Sequence, residues 1–206
     1  MDGLTAEESW NVIRHADEYL RRDIFCFFPE DLQVKILESL DREEAAKLIG
    51  EMPPDDRVDL LQEVAPQVVE EVLSLVPAEE RRDIQRLQAY PEDTAGAVMT
   101  TEFARVGESM PVKQALDQIA RQAEQLETIY YIYVLDDEGH LHGLVSAREL
   151  LSATRFPDRP VGEIMERDLL TVNVSEDQEE VALKVAKYDL LAIPVVDDEH
   201  RMLGII

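Results

Sequence analysis

The chain has 206 residues, of which 45 are acidic and 20 basic, so its formal net charge at pH 7 is −25. Nucleic acids and anionic membrane surfaces are recognised by basic faces, and this balance therefore excludes both as partners. The single cysteine, Cys26, cannot form an internal disulfide, which indicates a reducing compartment. No stretch approaches the roughly 18 apolar residues that span a bilayer, so we expect no direct membrane insertion of this chain.

Residues 1–96 carry the pattern of short helices and hold 24 acidic against ten basic residues. Five segments of about a dozen residues open with proline or aspartate and continue with acids, the composition of a helical first turn. These segments begin at Pro29, Asp41, Pro53-Pro54, Pro66 and Pro77. Apolar residues then recur at three-to-four spacing, as with Leu32 and Ile36. Because one short helix cannot bury its apolar face alone, we predict an all-α superhelical domain of stacked helices.

After Gly96 the pattern changes to alternating strands and helices, first over residues 97–158. The segment VMTTEFARV predicts a strand, and a helix follows from Ser109 to Leu126. Two apolar runs, TIYYIYVL and HLHGLVS, flank the turn DDEG and predict a hairpin, which a helix from Ala147 to Ala153 completes. This order is a β-α-β-β-α unit of the α/β class.

The same unit recurs over residues 159–206, without its last helix. The segment EIMERDLLTV is followed by a helix from Glu176 to Tyr188 and by the runs LAIPVV and RMLGII around the turn DDEH. Met99 aligns with Met165, and Ile132 with Ile193. We therefore predict an α + α/β protein in which a duplicated unit follows the helical domain, with the second copy truncated.

The duplicated unit resembles a tandem pair of CBS motifs, with a methionine before the first strand and a Gly-x-x-Ser phrase in the last. The phrases YPEDTAGAVMTTEF, ETIYYIYVLDDEG and SEDQEEVALKVAKYDLLAIPVVDDE resemble the cytosolic region of the MgtE family of magnesium channels. That resemblance implies an acidic helical N domain, a CBS pair, a connecting helix and five transmembrane helices. We expect a piece of a multi-pass protein at the cytoplasmic face of the bacterial membrane. Its expected partners are the transmembrane pore domain and a second copy, bound through the CBS pairs.

The helix in SEDQEEVALKVAKYD carries the candidate metal ligands. Ser175 and Gln178 have the spacing of a capping box, which places the start of the helix here. Acids in its first turn suit the positive end of the helix dipole, and that is a sufficient structural explanation for most of them. Asp189 lies at the opposite end, where the dipole disfavours an acid, beside the free carbonyls of the last turn, including Ala186. Carboxylate and carbonyl oxygens together are ligands for a hard cation.

In the MgtE family, the positions that match Asp177, Glu179, Ala186 and Asp189 resemble those that hold Mg²⁺ against acids of the N domain. On the N-domain side, Glu71 is the best match. Gln67 and Lys35 stand where acids are expected from the family. Two alternatives follow: the N-domain ligands have shifted to neighbours such as Glu63 or Glu70, or the site is looser in this chain.

The phrase GLVSAREL resembles the nucleotide-binding phrase of CBS motifs, with Glu149 in place of the usual aspartate. The resemblance implies that Ser146, Arg148 and Glu149, with Tyr131 and Leu190 lining the cleft, bind an adenine nucleotide such as ATP. The alternative is that these residues only form the seam between the two motifs.

Two histidines, His140 and His142, alternate along one strand and face the same side. Two histidines alone seldom form a transition-metal site, so we interpret them as exposed hairpin residues. No nucleophile–base pair, Gly-rich phosphate loop or paired-carboxylate cleft indicates an enzyme.

These observations predict a magnesium-sensing regulatory domain of a magnesium transport protein. In this hypothesis Mg²⁺ bridges the acidic N and CBS domains and favours closure of the channel. A soluble CBS-pair sensor of adenine nucleotides and a passive acidic adaptor are the alternatives.

Overall fold

The computed structural model describes residues 4–123, 126 and 128–206. The chain divides into two compact units, Met1–Ala89 and Tyr90–Ile206. The first unit is helical and the second contains two small sheets with flanking helices. The predicted fold class, helices followed by a duplicated α/β unit, is confirmed.

The described part of the first unit contains seven helices of eight to ten residues. They are α1 (Ala6–Ile13), α2 (Glu18–Cys26), α3 (Glu30–Ser39), α4 (Arg42–Glu51), α5 (Pro54–Glu63), α6 (Pro66–Leu75) and α7 (Ala78–Leu87). Each helix packs on the helix two positions further along the chain: α1 on α3, α2 on α4, α3 on α5, α4 on α6 and α5 on α7. This contact pattern is that of a superhelix of stacked repeats.

The seven helices follow a strict period of twelve residues. Their N-cap residues are Thr5, Asp17, Pro29, Asp41, Pro53, Ala65 and Pro77. The eighth residue after each of the first five caps is apolar and at most 3% exposed: Ile13, Phe25, Leu37, Ile49 and Leu61. The repeat therefore fixes both the start of each helix and the side chain that it contributes to the core.

The second unit contains two three-stranded sheets, with strand orders β1-β2-β3 and β4-β5-β6. Its elements are α8 (Ala95–Val98), β1 (Arg105–Gly107), α9 (Val112–Gln122), β2 (Tyr131–Leu135), β3 (Leu141–Ser146), α10 (Ala147–Ser152), β4 (Val172–Asn173), α11 (Gln178–Tyr188), β5 (Pro194–Val196) and β6 (Met202–Ile205). In each sheet the first two strands are parallel and the last two antiparallel. The equivalent pairs Val106↔Val134 and Val172↔Val195 show that the two copies share one register.

Two predicted helix starts differ from the structure. Helix α9 begins at Val112 rather than Ser109, because Pro111 occupies the N-cap position and has no N–H to donate. The residues 124 and 125, predicted in the same helix, lie outside the described residues. Helix α11 begins at Gln178 because Asp177, not Ser175, is its N-cap. The Ser175 hydroxyl instead donates to Asn173 Oδ1 at 2.6 Å.

The units also separate before Gly96, the residue at which the sequence pattern changes. Gly96 lies inside α8, and a Cβ atom there would be 2.6 Å from the ring of Tyr90 and 2.8 Å from Val174. The glycine is therefore a point of close packing within the second unit.

The two copies of the duplicated unit exchange their leading segments. Thr100, which precedes β1, pairs with Ile205 of β6 through two backbone hydrogen bonds of 2.9 and 3.0 Å. Glu166, which precedes β4, pairs in the same way with Leu144 of β3, at 2.9 and 3.0 Å. Each sheet thus receives its fourth chain segment from the other copy. The segment predicted as one strand, VMTTEFARV, therefore contributes to both sheets.

Two equivalent glycines make this exchange possible. A Cβ at Gly143 would lie 2.5 Å from the carbonyl oxygen of Glu166, and a Cβ at Gly204 would lie 2.4 Å from that of Thr100. In both places the close neighbour is rigid backbone, which cannot rotate away. A side chain at either position would therefore force the crossing segment off the sheet.

We predict that Gly143→Ala destabilises the second unit by about 1–3 kcal/mol, the usual cost of overpacking. The expected result is a melting temperature lower by several degrees in differential scanning calorimetry. Gly107→Ala is the matched control in the same sheet, since a Cβ there meets no atom within 4 Å. The control should leave the melting temperature unchanged or raise it slightly. Equal effects of the two substitutions would contradict the proposed role of the glycine.

Candidate metal and nucleotide sites

The N-terminal end of α11 holds two of the predicted metal ligands, and both are exposed. Asp177 Oδ1 accepts the backbone N–H groups of Glu179 at 2.8 Å and Glu180 at 3.4 Å. Asp177 is therefore an N-cap, and this local role accounts for an acid at that position. The neighbouring Glu176 forms an ion pair with Lys184. Within the described residues the Glu179 side chain forms no ion pair, so its carboxylate remains available to a cation.

The C-terminal end of α11 holds the other two predicted metal ligands, Ala186 and Asp189. Asp189 has φ 52° and ψ 45°, a left-handed conformation that ends the helix and that aspartate tolerates better than most residues. The N–H groups of Asp189 and Leu190 both bond to Val185 O. In a continuing helix the Leu190 N–H would bond to Ala186 O, so the Ala186 carbonyl loses its usual partner. Two candidate oxygen ligands, the Asp189 carboxylate and the Ala186 carbonyl, thus both belong to the exposed end of the helix.

The four α11 positions cannot share one ion. The helix has eleven residues, and at 1.5 Å per residue its ends lie about 16 Å apart. Oxygen ligands lie about 2.0–2.1 Å from Mg²⁺. Asp177 and Glu179 therefore form one candidate group, and Ala186 and Asp189 form a separate one.

The predicted N-domain ligand, Glu71, lies in the first unit at the C-terminal part of α6. Its carboxylate is exposed and accepts from Arg42 Nε at 2.6 Å. Exposed ion pairs of this kind contribute little, about 0–1 kcal/mol, so a divalent cation could displace Arg42. Lys35, at a position where an acid is expected from the family, instead pairs with Asp31 at 2.8 Å.

A further acidic cluster in the first unit was not singled out from the sequence. Partial burial first, and then repulsion from Asp55, Asp56 and Glu30, raises the pKa of Asp59. Asp55 and Asp59 are one helical turn apart on α5, a spacing visible in the sequence, while Glu30 belongs to the neighbouring α3. Acids of α3 and α5 thus lie close enough to repel one another.

The predicted nucleotide residues lie around one open cleft of about 380 Å³. It is lined by Tyr130, Tyr131, Ser146, Ala147, Arg148, Glu149 and Leu191. The structure therefore brings Tyr131, Ser146, Arg148 and Glu149 together. Leu191, 65% exposed, lines the cleft in place of Leu190, because the chain reverses at Asp189 and leaves Leu190 half-buried.

Ser146 and Glu149 also start α10. Glu149 Oε2 accepts the Ser146 N–H at 3.0 Å and its hydroxyl at 2.7 Å, while Ser146 Oγ accepts the Glu149 N–H at 3.2 Å. This capping box fixes both side chains at the rim of the cleft. Arg148 is exposed beside them and contributes the positive charge that an anionic ligand requires.

No helix among the described residues is long and apolar enough to cross a membrane. Residues 1–93 match the family described as the MgtE intracellular N domain, and residues 95–155 and 161–206 match the CBS domain.

Two transporters named MgtE match most of the chain. The protein of Thermus thermophilus is 35% identical over 96% of this chain and 46% of its own length. The protein of Bacillus subtilis is 32% identical over 89% of this chain and 40% of its own length. The chain thus spans less than half the length of either transporter.

Two solved structures match both units. The soluble part of a magnesium transporter superposes with a TM-score of 0.90 at 34% identity, covering 98% of this chain and 79% of that one. The cytosolic domain of the Mg²⁺ channel MgtE in complex with ATP gives 0.75 at 33% identity, covering 100% and 88%. The relatives that match both units are named as transporters rather than enzymes, in agreement with the sequence analysis. The chain therefore belongs to the MgtE family, as an N domain followed by a pair of CBS motifs.

Proposed function

We propose that this chain is the magnesium-sensing regulatory region of a magnesium transport protein. It would act at the cytoplasmic face of the bacterial membrane, with the pore domain of the full-length protein as its partner. Mg²⁺ held between acids of the two units would favour the closed channel. The observation that supports this most directly is the exposed end of α11, which carries the open Ala186 carbonyl and the exposed Asp189 carboxylate.

In this proposal, the negative charge of both units drives them apart when Mg²⁺ is low. Residues 1–96 carry a net charge of −14 and residues 97–206 a net charge of −11. Two unit charges of the same sign 4 Å apart repel by about 1 kcal/mol even in water. At low Mg²⁺ the acidic units would therefore repel, and bound cations would replace the repulsion with shared ligands.

We predict that Mg²⁺ stabilises the chain and that Asp189→Asn removes most of this effect. A ligand at ten times its Kd adds about 1.4 kcal/mol of stability, which raises the melting temperature by a few degrees. Asparagine also tolerates the left-handed conformation of Asp189, so the substitution removes charge while keeping the helix end. Without Mg²⁺ the variant should be as stable as the wild type or slightly more stable, because an acid at a helix C-terminus is unfavourable.

The measurement is calorimetric melting in Mg²⁺ and in monovalent salt of equal ionic strength. Asp117→Asn, which removes an exposed acid from α9, controls for the general loss of negative charge. If Asp189→Asn keeps the full Mg²⁺ increment, Asp189 is not a ligand.

A second candidate function, binding of an adenine nucleotide, is supported by the cleft around Ser146 and Arg148. The exposed Tyr130 and the half-buried Tyr131 offer flat faces for a base, and Arg148 offers a guanidinium for phosphate. A relative of similar fold is described in complex with ATP. The two functions are compatible, since the cleft and the exposed end of α11 use different residues.

We predict that Arg148→Gln weakens ATP binding at least about tenfold, because a hydrogen bond to a charged group contributes roughly 1.5–3 kcal/mol. Arg155→Gln, at an exposed position just after α10, is the matched control and should leave the Kd unchanged. Isothermal titration calorimetry measures the Kd for ATP of both variants. If the two variants bind ATP with equal affinity, ATP binds at another site or does not bind at all.

We also propose a homodimer through the CBS pairs. Leu183 and Tyr188 on α11 are 70% and 53% exposed, and Leu191 nearby is 65% exposed. Val181 of the same helix is buried within its own unit and is not available to a partner. A large apolar surface of this kind is typical of an interaction site.

We predict that Leu183→Glu converts a dimer into a monomer, because it places a charge in an apolar interface. Light scattering of the 206-residue chain at micromolar concentration should give twice the chain mass for the wild type and the single mass for the variant. Leu75→Glu, at an exposed leucine of α6, should remain dimeric. If the wild-type chain is monomeric, this interface is not sufficient for assembly.

A further inference from the structure

The hairpin turn between β2 and β3 gathers four side chains with metal-binding atoms. His140 and His142 lie on the same side of the chain, on either side of the buried Leu141. Asp136 and Glu138 of the turn reach the same side. The sequence had indicated two isolated histidines, but the structure surrounds them with carboxylates.

Three of the four side chains, those of Asp136, Glu138 and His140, bring ligand atoms within reach of one small ion, and His142 lies beside them at Asp136. His140 Nδ1 lies 2.9 Å from Asp136 Oδ2 and 3.8 Å from Glu138 Oε2. His142 Nε2 lies 3.4 Å from the same Asp136 oxygen. The ligand atoms of Asp136, Glu138 and His140 all fall within 4.8 Å of one another. In a tetrahedral zinc site, bonds of about 2.0–2.1 Å place neighbouring ligand atoms about 3.4 Å apart.

A fifth residue orients His142. Glu108, which follows β1, lies with its Oε2 2.8 Å from His142 Nδ1. A carboxylate only accepts hydrogen bonds, so Nδ1 carries the proton and the lone pair of Nε2 points toward Asp136. Arg167 holds the other Glu108 oxygen at 2.7 Å. Histidine ligands of metals are commonly oriented by a carboxylate on the second ring nitrogen in this way.

The equivalent turn of the second CBS motif shows what this turn lacks. Asp197 Oδ1 accepts the N–H groups of Glu199 and Arg201 at 2.9 and 2.8 Å. Asp136 Oδ1 accepts those of Glu138 and His140 at the same two distances. In the second turn the Arg201 guanidinium lies against both Asp197 and Glu199 and neutralises them. In the first turn the His140 imidazole takes the place of that guanidinium.

We propose that the β2–β3 turn binds one zinc-class divalent ion through His140 Nδ1, Asp136 and Glu138, with His142 Nε2 as the fourth ligand and Glu108 as the orienting residue. The ion replaces the proton that His140 Nδ1 donates to Asp136 in the metal-free turn, and that proton is released to solvent. The ion supplies the positive charge that Arg201 supplies in the other copy. Imidazole with carboxylate favours zinc and its transition-metal neighbours, whereas Mg²⁺ prefers oxygen ligands and retains water. The site is therefore distinct in its chemistry from the candidate oxygen sites on α11.

The access of the turn agrees with this assignment. Asp136 and His142 line an open cleft of about 610 Å³, which gives an ion a path from solvent and room for a water ligand.

The test is titration of the 206-residue chain with Zn²⁺ by isothermal calorimetry, in 10 mM Mg²⁺ to fill sites built of oxygen. We expect one zinc ion per chain. His140→Arg copies the second turn, so it should keep the melting temperature and weaken zinc binding at least about a hundredfold. Glu108→Gln should weaken it about ten- to hundredfold, the usual effect of losing an orienting partner.

The other two histidines provide matched controls. His15→Gln lies in the first unit, and His200→Asn lies in the second turn, where asparagine suits its φ of 64°. Both should retain full zinc binding, and Co²⁺ should give the intense visible absorption of a tetrahedral site in every variant except His140→Arg. The proposal is overturned by a wild-type chain that takes up no zinc, by unchanged binding in His140→Arg, or by loss of binding in His200→Asn.

Discussion

The α/β unit depends on one close contact, made twice: backbone of one CBS motif crosses a glycine of the other. Met165 and Glu166 cross Gly143, and Met99 and Thr100 cross Gly204. Neither sheet is complete without this exchange, because each takes an edge segment from the other copy. The same symmetry brings the two hairpin turns together, and His140 pairs with Arg201 across it. The glycine crossings therefore place two hairpin turns side by side. The β5–β6 turn contains its own cation, Arg201, and in the β2–β3 turn His140 occupies that position.

The acidity of the first unit has a local cause in its repeat. Eleven acids occupy the first turns of its helices, where they interact favourably with the helix dipole. They are Glu7, Glu8, Glu18, Glu30, Asp31, Glu43, Glu44, Asp55, Asp56, Glu79 and Glu80. Among the described residues of this unit, Arg86 is the one basic residue in a last turn. Short helices that start every twelve residues with acids and end without bases necessarily build up negative charge. A cation sensor could arise on such a scaffold with few additional carboxylates.

Features that depend on local chemistry could be predicted from the sequence, and features that depend on distant residues could not. Proline and aspartate at twelve-residue steps predicted five helix starts, because a cap acts within one turn. In SEDQ both Ser175 and Asp177 can cap a helix, and the pattern alone did not choose Asp177. The left-handed conformation of Asp189 has no local signature comparable to glycine. The carboxylate that orients His142 is 34 residues away in sequence, so only the fold brings the two together.

In the structure some acidic side chains already form an ion pair with a basic side chain, and others do not. Glu71 has Arg42, Glu176 has Lys184, and Asp197 with Glu199 has Arg201. Among the described residues, Glu179 and Asp189 have no such partner, and both lie on α11. Their neighbours there are oxygens, which suit Mg²⁺.

Asp136 and Glu138 have only imidazole beside them, which suits a softer ion. The oxygens of α11 and the side chains of the β2–β3 turn differ in ligand type and not only in charge. An ion that competes for one group therefore need not compete for the other. If both proposed sites bind their ions, the chain would respond to magnesium and still register a second metal.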